Sequence, residues 1–323
     1  MTATFGKLQG RSLELGDGLN IIEAPNETGK STWCAFLLSI LYGVNSRERD
    51  RAGFIADKNR FAPWSGAAMS GRMDCGTELG ELTLTRATRR QTSPMGEFSA
   101  VYAGTNEPVP GLTGAACGET LLGISREVFE RSAFIRQNNL PISQDAELER
   151  RIAALISSGE EGTSYTEAAD ALKKQLNRRR HNRTGQLPAL GRRAAEIFSR
   201  LTDNRYAGVV LDRSFRLSAE PVGDPVFRDA ALLSAGALDQ LYLAVRLAIC
   251  ELVLPPEKQV PIVLDDALAN FDDSRCAAAL QFLKEAAGNR QILLFTCHSR
   301  EGEFFAGDRE VFVQRLTDAA VEV

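Results

Sequence analysis

No apolar run in this 323-residue chain approaches the roughly 18 residues needed to cross a bilayer, and no secretory leader pattern is seen. A membrane protein is therefore not expected, and neither is a membrane partner. The six cysteines (Cys34, Cys75, Cys117, Cys250, Cys276, Cys297) include no C-x-x-C pair. That argues against a zinc site and for a reducing cytoplasm, with several thiols acting as small hydrophobes inside apolar stretches. Internal repeats and low-complexity tracts are absent, and no heptad pattern is sustained over three or four repeats. Positive charge is not in excess: 38 Lys and Arg against 42 Asp and Glu give a net charge of -4, so nothing pulls the whole molecule toward nucleic acid. Any DNA contact must come from local patches. Arginine does cluster, at Arg47, Arg49 and Arg51, at Arg86, Arg89 and Arg90, at Arg178, Arg179, Arg180 and Arg183, and at Arg192 and Arg193. Taken singly, each cluster reads first as a solvated helix face or loop.

What is present is an ordinary globular composition, 44% hydrophobic and 25% charged, with enough chain for one large domain or two lobes. Ser12 to Leu15 alternates, Gly16-Asp17-Gly18 makes a turn and Leu19 to Ile22 is a short apolar strand. A glycine-containing loop follows, then a helix over 31–42. Residues 44–75 are irregular and are expected to form a surface loop, with paired antiparallel strands at 80–86 and 97–102. From Ser143, a plausible N-cap, the pattern is helical to Ile156 and again over 166–180. Gly185 and Pro188 interrupt it before a helix over 194–201. The C-terminal third alternates strands (206–211, 215–217, 261–264, 291–296) with helices (from Ala237, and 274–287), which implies a largely parallel sheet covered by helices.

Three segments carry chemistry. Ala24-Pro25-Asn26-Glu27-Thr28-Gly29-Lys30-Ser31-Thr32 follows a strand and opens a helix, the setting a phosphate-binding loop needs. Backbone N–H groups there can surround phosphates, Lys30 can reach the β and γ groups, and Ser31 can offer its hydroxyl to Mg²⁺. Ala24 stands where a glycine is usual, and a chance G-K-S in a turn is the competing reading. Pro261-Ile262-Val263-Leu264 ends in Asp265-Asp266, placing two carboxylates at the carboxyl end of a strand, where α/β ligands bind. Asp265 would hold Mg²⁺ and Asp266 would orient or deprotonate a water; both could instead cap a helix. Leu233-Ser234-Ala235-Gly236-Ala237-Leu238-Asp239-Gln240 leads into a helix with Leu241, Val245, Ala248, Ile249 and Leu252 on one face. It too could be a simple cap.

In this order along the chain, the segments resemble the P-loop, signature and Walker B of ABC-type ATPases. Gln137, in Phe134-Ile135-Arg136-Gln137-Asn138, resembles the Q-loop glutamine that senses Mg²⁺ and the attacking water. His298 resembles the switch histidine, and Asn270, Phe271 and Asp272 the D-loop. Within that class the chain is similar to heads of the SMC and SbcC-type, YhaN-like repair ATPases. Pro25 to Thr32, the stretch Asn59-Arg60-Phe61-Ala62-Pro63-Trp64-Ser65-Gly66, and Asp265-Asp266 in place of Asp-Glu carry that likeness. The resemblance implies an α/β head with a mixed sheet, an antiparallel β subdomain and a helical stub of a coiled coil. It implies ATP and Mg²⁺ as cofactors, with Asn26, Glu27, Thr28, Gly29, Lys30, Ser31 and Thr32 on the nucleotide. Ser31, Gln137 and Asp265 would serve the metal, and Asp266, Gln137 and His298 the chemistry. Ser234 and Gly236 would meet the γ-phosphate held by a second copy, in an ATP-dependent homodimer.

The lobes would be 1–181 and 192–323, joined by 182–191 where this family has a long coil. Either the head has no coil or one has been cut out, and the helix-like Arg180-His181-Asn182-Arg183 favours the second. The abrupt Met1-Thr2-Ala3 start leaves little room for a first strand. By the same resemblance the work would be DNA repair, with a metallophosphoesterase nuclease subunit as partner. The alternatives are a chromosome-organising clamp without nuclease, and a signalling ATPase with no DNA role.

Overall fold

The computed structural model describes residues 1–136, 190–211 and 216–316. They fall into two compact units, one of Met1–Phe134, Pro255–Asp266 and Ala286–Val323, the other of Ile135–Leu254 and Ala267–Glu285. Gln137, the arginines at 178–183 and linker residues 182–189 lie outside the described residues.

The first unit opens with strands β1 (Thr2–Phe5), β2 (Leu8–Ser12) and β3 (Leu19–Glu23), then helix α1 (Lys30–Tyr42) and the one-turn helix α2 (Asp57–Arg60). Strands β4 (Ser70–Thr77), β5 (Gly80–Ala87) and β6 (Glu97–Tyr102) follow, then short helices α3 (Cys117–Leu122) and α4 (Arg126–Ser132) and strand β7 (Phe134–Arg136). An antiparallel sheet has the order β2-β1-β4-β5-β6. A strand at Thr2–Phe5 therefore exists despite the short start, with Ala3 and Phe5 pointing inward. The stretch expected to be irregular also yields strand β4 from Ser70 onward.

The second sheet of this unit holds β11 (Ile262–Asp265), β12 (Ile292–Thr296) and β13 (Val311–Arg315), in the order β13-β3-β12-β11. The pairs β13/β3, β3/β12 and β12/β11 are parallel. Strands β3, β11 and β12 are buried at every position. Continuous apolar runs of this length are what parallel strands covered on both faces require. Register aligns the strand ends, because Thr296 pairs with Glu23 and Phe295 with Asp265, so three strands end along one edge.

Helix α1 is buried along almost its whole length, from Lys30 and Trp33 to Leu41, as a core helix should be. It packs on the antiparallel sheet where Gly71 of β4 leaves room: a Cβ there would lie 2.3 Å from the Phe36 ring. Gly71→Ala should therefore lower stability by about 1–3 kcal/mol through overpacking, read as a lower urea midpoint. An unchanged midpoint would mean that the helix does not rest on this strand.

In the second unit, residues 190–201 form helix α5, so Leu190 and Gly191, assigned above to the linker, are already helical. Strands β8 (Tyr206–Leu211), β9 (Leu217–Pro221) and β10 (Arg228–Asp229) make a small antiparallel sheet ordered β10-β9-β8. Helix α6 (Ala235–Val253) and helix α7 (Asp273–Ala286) complete the unit, while α8 (Arg300–Phe304) belongs to the first. Leu241, Val245, Ala248 and Ile249 of α6 are buried, whereas Leu252, on the same face but in the last turn of the helix, is 47% exposed. All six cysteines are free thiols. Burial pushes the Cys117 thiol up to about 11, which keeps it neutral. Among the described residues no helix is long and apolar enough to cross a membrane.

Candidate functional site at the carboxyl edge of the parallel sheet

The loop from Ala24 to Gly29 leaves β3 and enters α1. Its left-handed residues are Glu27 (φ 68) and Gly29 (φ 104), not Ala24, so alanine in place of the usual glycine causes no backbone strain. Ala24 donates its N–H to the Thr296 carbonyl at 2.9 Å, fastening the loop to β12. Thr28 Oγ1 closes the turn on the Pro25 carbonyl at 2.6 Å. No side chain caps the first turn of α1, and that turn carries no acidic residue. The first-turn N–H groups of a helix have no intrahelical acceptor and lie at the positive end of its dipole.

Lys30 is only 5% exposed, and a buried ammonium must find partners. It donates to the Ala24 carbonyl at 2.9 Å and to the Pro25 carbonyl and Asn26 Oδ1 at 3.4 Å each. Asp266 Oδ2 stands 3.5 Å from the same ammonium. Ser31 Oγ donates to Asp265 Oδ2 at 3.0 Å. Residues from two distant segments, 30–31 and 265–266, are thereby brought together. Two oxygen donors, one a hydroxyl and one a carboxylate, form the set a hard divalent cation such as Mg²⁺ takes.

Asp265 closes strand β11, and Asp266 follows in the left-handed conformation (φ 51). Its backbone N–H goes to the Phe295 carbonyl and its Oδ1 accepts from the Cys297 N–H, each at 2.9 Å. This pair is therefore not a helix cap: α7 begins at Asp273, and Asp272 caps it by accepting from the Arg275 N–H at 2.9 Å. Cys297 was not foreseen as part of the site. Burial and the neighbouring Asp266 carboxylate raise its thiol above the ordinary range. His298 follows directly, its N–H donating to Thr296 Oγ1 at 3.1 Å, so its backbone stands at the same sheet edge.

The second unit holds the remaining described candidates. Ser234 is the N-cap of α6, its Oγ accepting from the Ala237 N–H at 3.4 Å, so the capping role is real. Ser234 is nonetheless exposed. Gly236 makes room for Arg275: a Cβ there would lie 2.4 Å from the guanidinium, which is paired with Asp272 at 2.6 Å. Asn270 donates to Asp239 Oδ2 at 3.3 Å. Gln240, at the end of the same motif, is buried and donates to the Leu201 carbonyl, tying α6 to α5.

Two of the clustered arginines have structural duties. Arg86 is buried, with donors on four main-chain carbonyls. Arg193 pairs with Glu196 and Glu251.

Comparison with known proteins bears on the family and the fold. The AAA domain family (AAA_27) matches residues 2–187. Over 186 residues the chain is 28% identical to "Uncharacterized protein YhaN" of Bacillus subtilis strain 168, a stretch that is 57% of this chain and 18% of that relative. Among solved structures it is similar to the SMC head bound to the C-winged helix domain of ScpA, with TM-score 0.63 and 17% identity over 94% of this chain and 91% of that one. The SMC head domain from Thermotoga maritima gives TM-score 0.53 and 15% identity, covering 99% and 96%. At such identities the likeness is one of fold.

Proposed function

Because the chain belongs to the AAA domain family and has the fold of an SMC-type ATPase head, we propose that it binds ATP with Mg²⁺, hydrolyses it, and closes on a second copy of itself. The observation that carries this reading is the meeting of Lys30, Ser31, Asp265 and Asp266 at the carboxyl edge of the parallel sheet. Asn26 to Thr32 would wrap the phosphates, with Lys30 moving from the loop carbonyls and Asp266 to the β and γ groups. Ser31 and Asp265 would hold Mg²⁺, which when bound neutralises phosphate charge. Asp266 would take a proton from the attacking water, with Gln137 and His298 orienting it. Ser234 and Gly236 of a second copy would meet the γ-phosphate, so closure depends on nucleotide and hydrolysis reverses it.

The work coupled to this cycle is DNA handling in the cytoplasm, with a metallophosphoesterase nuclease as the expected partner. The chain matches only part of its YhaN relative, so these whole-protein roles rest on the head's mechanism. The solved SMC heads bound to ScpA domains favour one second reading, a clamp with an accessory protein and no nuclease. DNA-stimulated turnover together with a co-purifying nuclease supports the first, topological loading on circular DNA the second, and indifference to DNA a signalling ATPase.

The direct test is calorimetric binding of Mg-ATP to the unmodified protein and to Lys30→Met, which keeps the stem's volume. Affinity should fall about 100-fold when the ammonium is lost. Equal affinity in both proteins would sink the phosphate-loop assignment.

A further inference from the structure

One conspicuous feature of the first unit is not used by this mechanism. Trp64 is 77% exposed, although tryptophan is on average a highly buried residue. The other tryptophan, Trp33, lies inside α1 and is 1% exposed. Trp64 is held in place by its backbone. Its N–H donates to the Gly6 carbonyl at 3.1 Å, and the Gly6 N–H donates to the Phe61 carbonyl at 2.7 Å. Phe61 stacks on Phe5 with ring centres 5.0 Å apart. The segment 61–64 is thus clamped to the β1–β2 turn, and the indole is presented from a fixed support.

That turn lies against the phosphate loop. Lys7 donates its ammonium to the Glu27 carbonyl and stands 5.8 Å from the centre of the Trp64 ring. A Cβ on Gly6 would lie 3.0 Å from Thr32 Cγ2, and one on Gly29 would lie 3.2 Å from Leu8 Cδ2. Lys30 and Ser31 reach Asp266 and Asp265, which sets the side where the γ-phosphate ends. Thr32 is one residue, about 100°, further round the helix and meets the turn instead. The α-phosphate, ribose and base of a bound nucleotide would therefore leave the loop on the side of Gly6, Lys7 and Trp64.

We propose that Trp64 is the platform on which the purine ring of the nucleotide stacks, and that Lys7 ties this platform to the phosphate loop. The inference rests on the nucleotide-binding reading above and adds where the base goes. An indole face gains from stacking on any purine, so Trp64 supplies affinity for the base without choosing between adenine and guanine. It supplies none for the phosphates.

The test separates base from phosphate by comparing Mg-ATP, Mg-GTP and magnesium tripolyphosphate. Trp64→Ala should weaken ATP and GTP about tenfold each and leave tripolyphosphate affinity unchanged, while Trp64→Phe stays within about threefold of the unmodified protein. In the unmodified protein ATP, but not tripolyphosphate, should quench tryptophan fluorescence, and the quench should vanish in Trp64→Phe. Because Trp64 is exposed, both variants should keep their melting temperature. ATP affinity unchanged in Trp64→Ala, or an equal loss for tripolyphosphate, overturns the proposal and leaves the nucleotide site standing. Failure of the unmodified protein to bind either ATP or tripolyphosphate overturns the nucleotide site and this proposal with it. If Trp64→Ala kept its ATP affinity and lost only ATP-dependent dimer mass, the indole would serve a second copy and base stacking would be refuted.

Discussion

Replacing Asp266 by Asn should lower ATP turnover about 10³-fold while ATP stays bound and the dimer stays closed. The fold should tolerate the change. Asp266 sits at φ 51, a region that Asn occupies more readily than most residues, and an amide oxygen can still accept the Cys297 N–H. What is lost is the negative charge 3.5 Å from the Lys30 ammonium, and with it the only proposed proton acceptor. Freed from that carboxylate, Lys30 has one competitor fewer for the phosphates, so ATP affinity should hold or rise slightly. Phosphate release and solution mass with Mg-ATP, measured on the same protein, separate the possibilities. Low turnover with doubled mass supports the assignment. Turnover within tenfold of the unmodified rate would place the base elsewhere, and loss of ATP binding would make Asp266 a holder of Lys30 instead.

The parallel sheet was legible because its strands are short apolar runs, and the loop between β3 and α1 is a local motif whose position between strand and helix can be read without a partner. The same holds for Asp265 and Asp266, at the end of such a run. Strand β4, Ser-Gly-Arg-Met-Asp-Cys-Gly-Thr, has no such signal and exists through its pairing with β5 and with β1. Strand β1 is four residues long and is likewise defined by its neighbours, with Thr2 opposite Arg72. The role of Cys297 depends on its backbone N–H, to which sequence is blind, and Gly236 makes sense only once Arg275 is seen above it. The stretch from Asn59 to Gly66 was noticeable by resemblance, but its place beside the phosphate loop comes from hydrogen bonds to Gly6.

Arg86 is the residue most misjudged by position in a basic cluster, and the same misjudgement gives the largest stability effect. Leu82, Leu84 and Arg86 alternate along β5 and all three are buried, so the arginine continues the inward face. Helix α1 ends there without a basic residue in its last turn. Arg86 supplies one from outside: Nε donates to the Ile40 carbonyl at 2.8 Å, and Nη2 to the carbonyls of Leu41 at 3.3 Å and Gly114 at 2.5 Å. Nη1 reaches the Met95 carbonyl at 3.5 Å, and the guanidinium lies over the Phe98 ring at 4.7 Å. Burial pulls its pKa below the ordinary arginine value, yet arginine remains charged, and the negative end of the helix dipole compensates it. Arg86→Leu leaves these carbonyls without their donor. A cavity of about 550 Å³, lined by Arg86, Tyr42, Met95, Phe98 and Gly114, lets water reach some of them, so the cost should be about 3 kcal/mol rather than 5. For a unit of this size that is a fall of about 10 °C in melting temperature. A surface arginine of the same cluster, such as Arg90, should cost no more than about 0.5 kcal/mol when replaced. Equal melting temperatures for Arg86→Leu and Arg90→Leu would return Arg86 to the surface and leave the end of α1 without its cap.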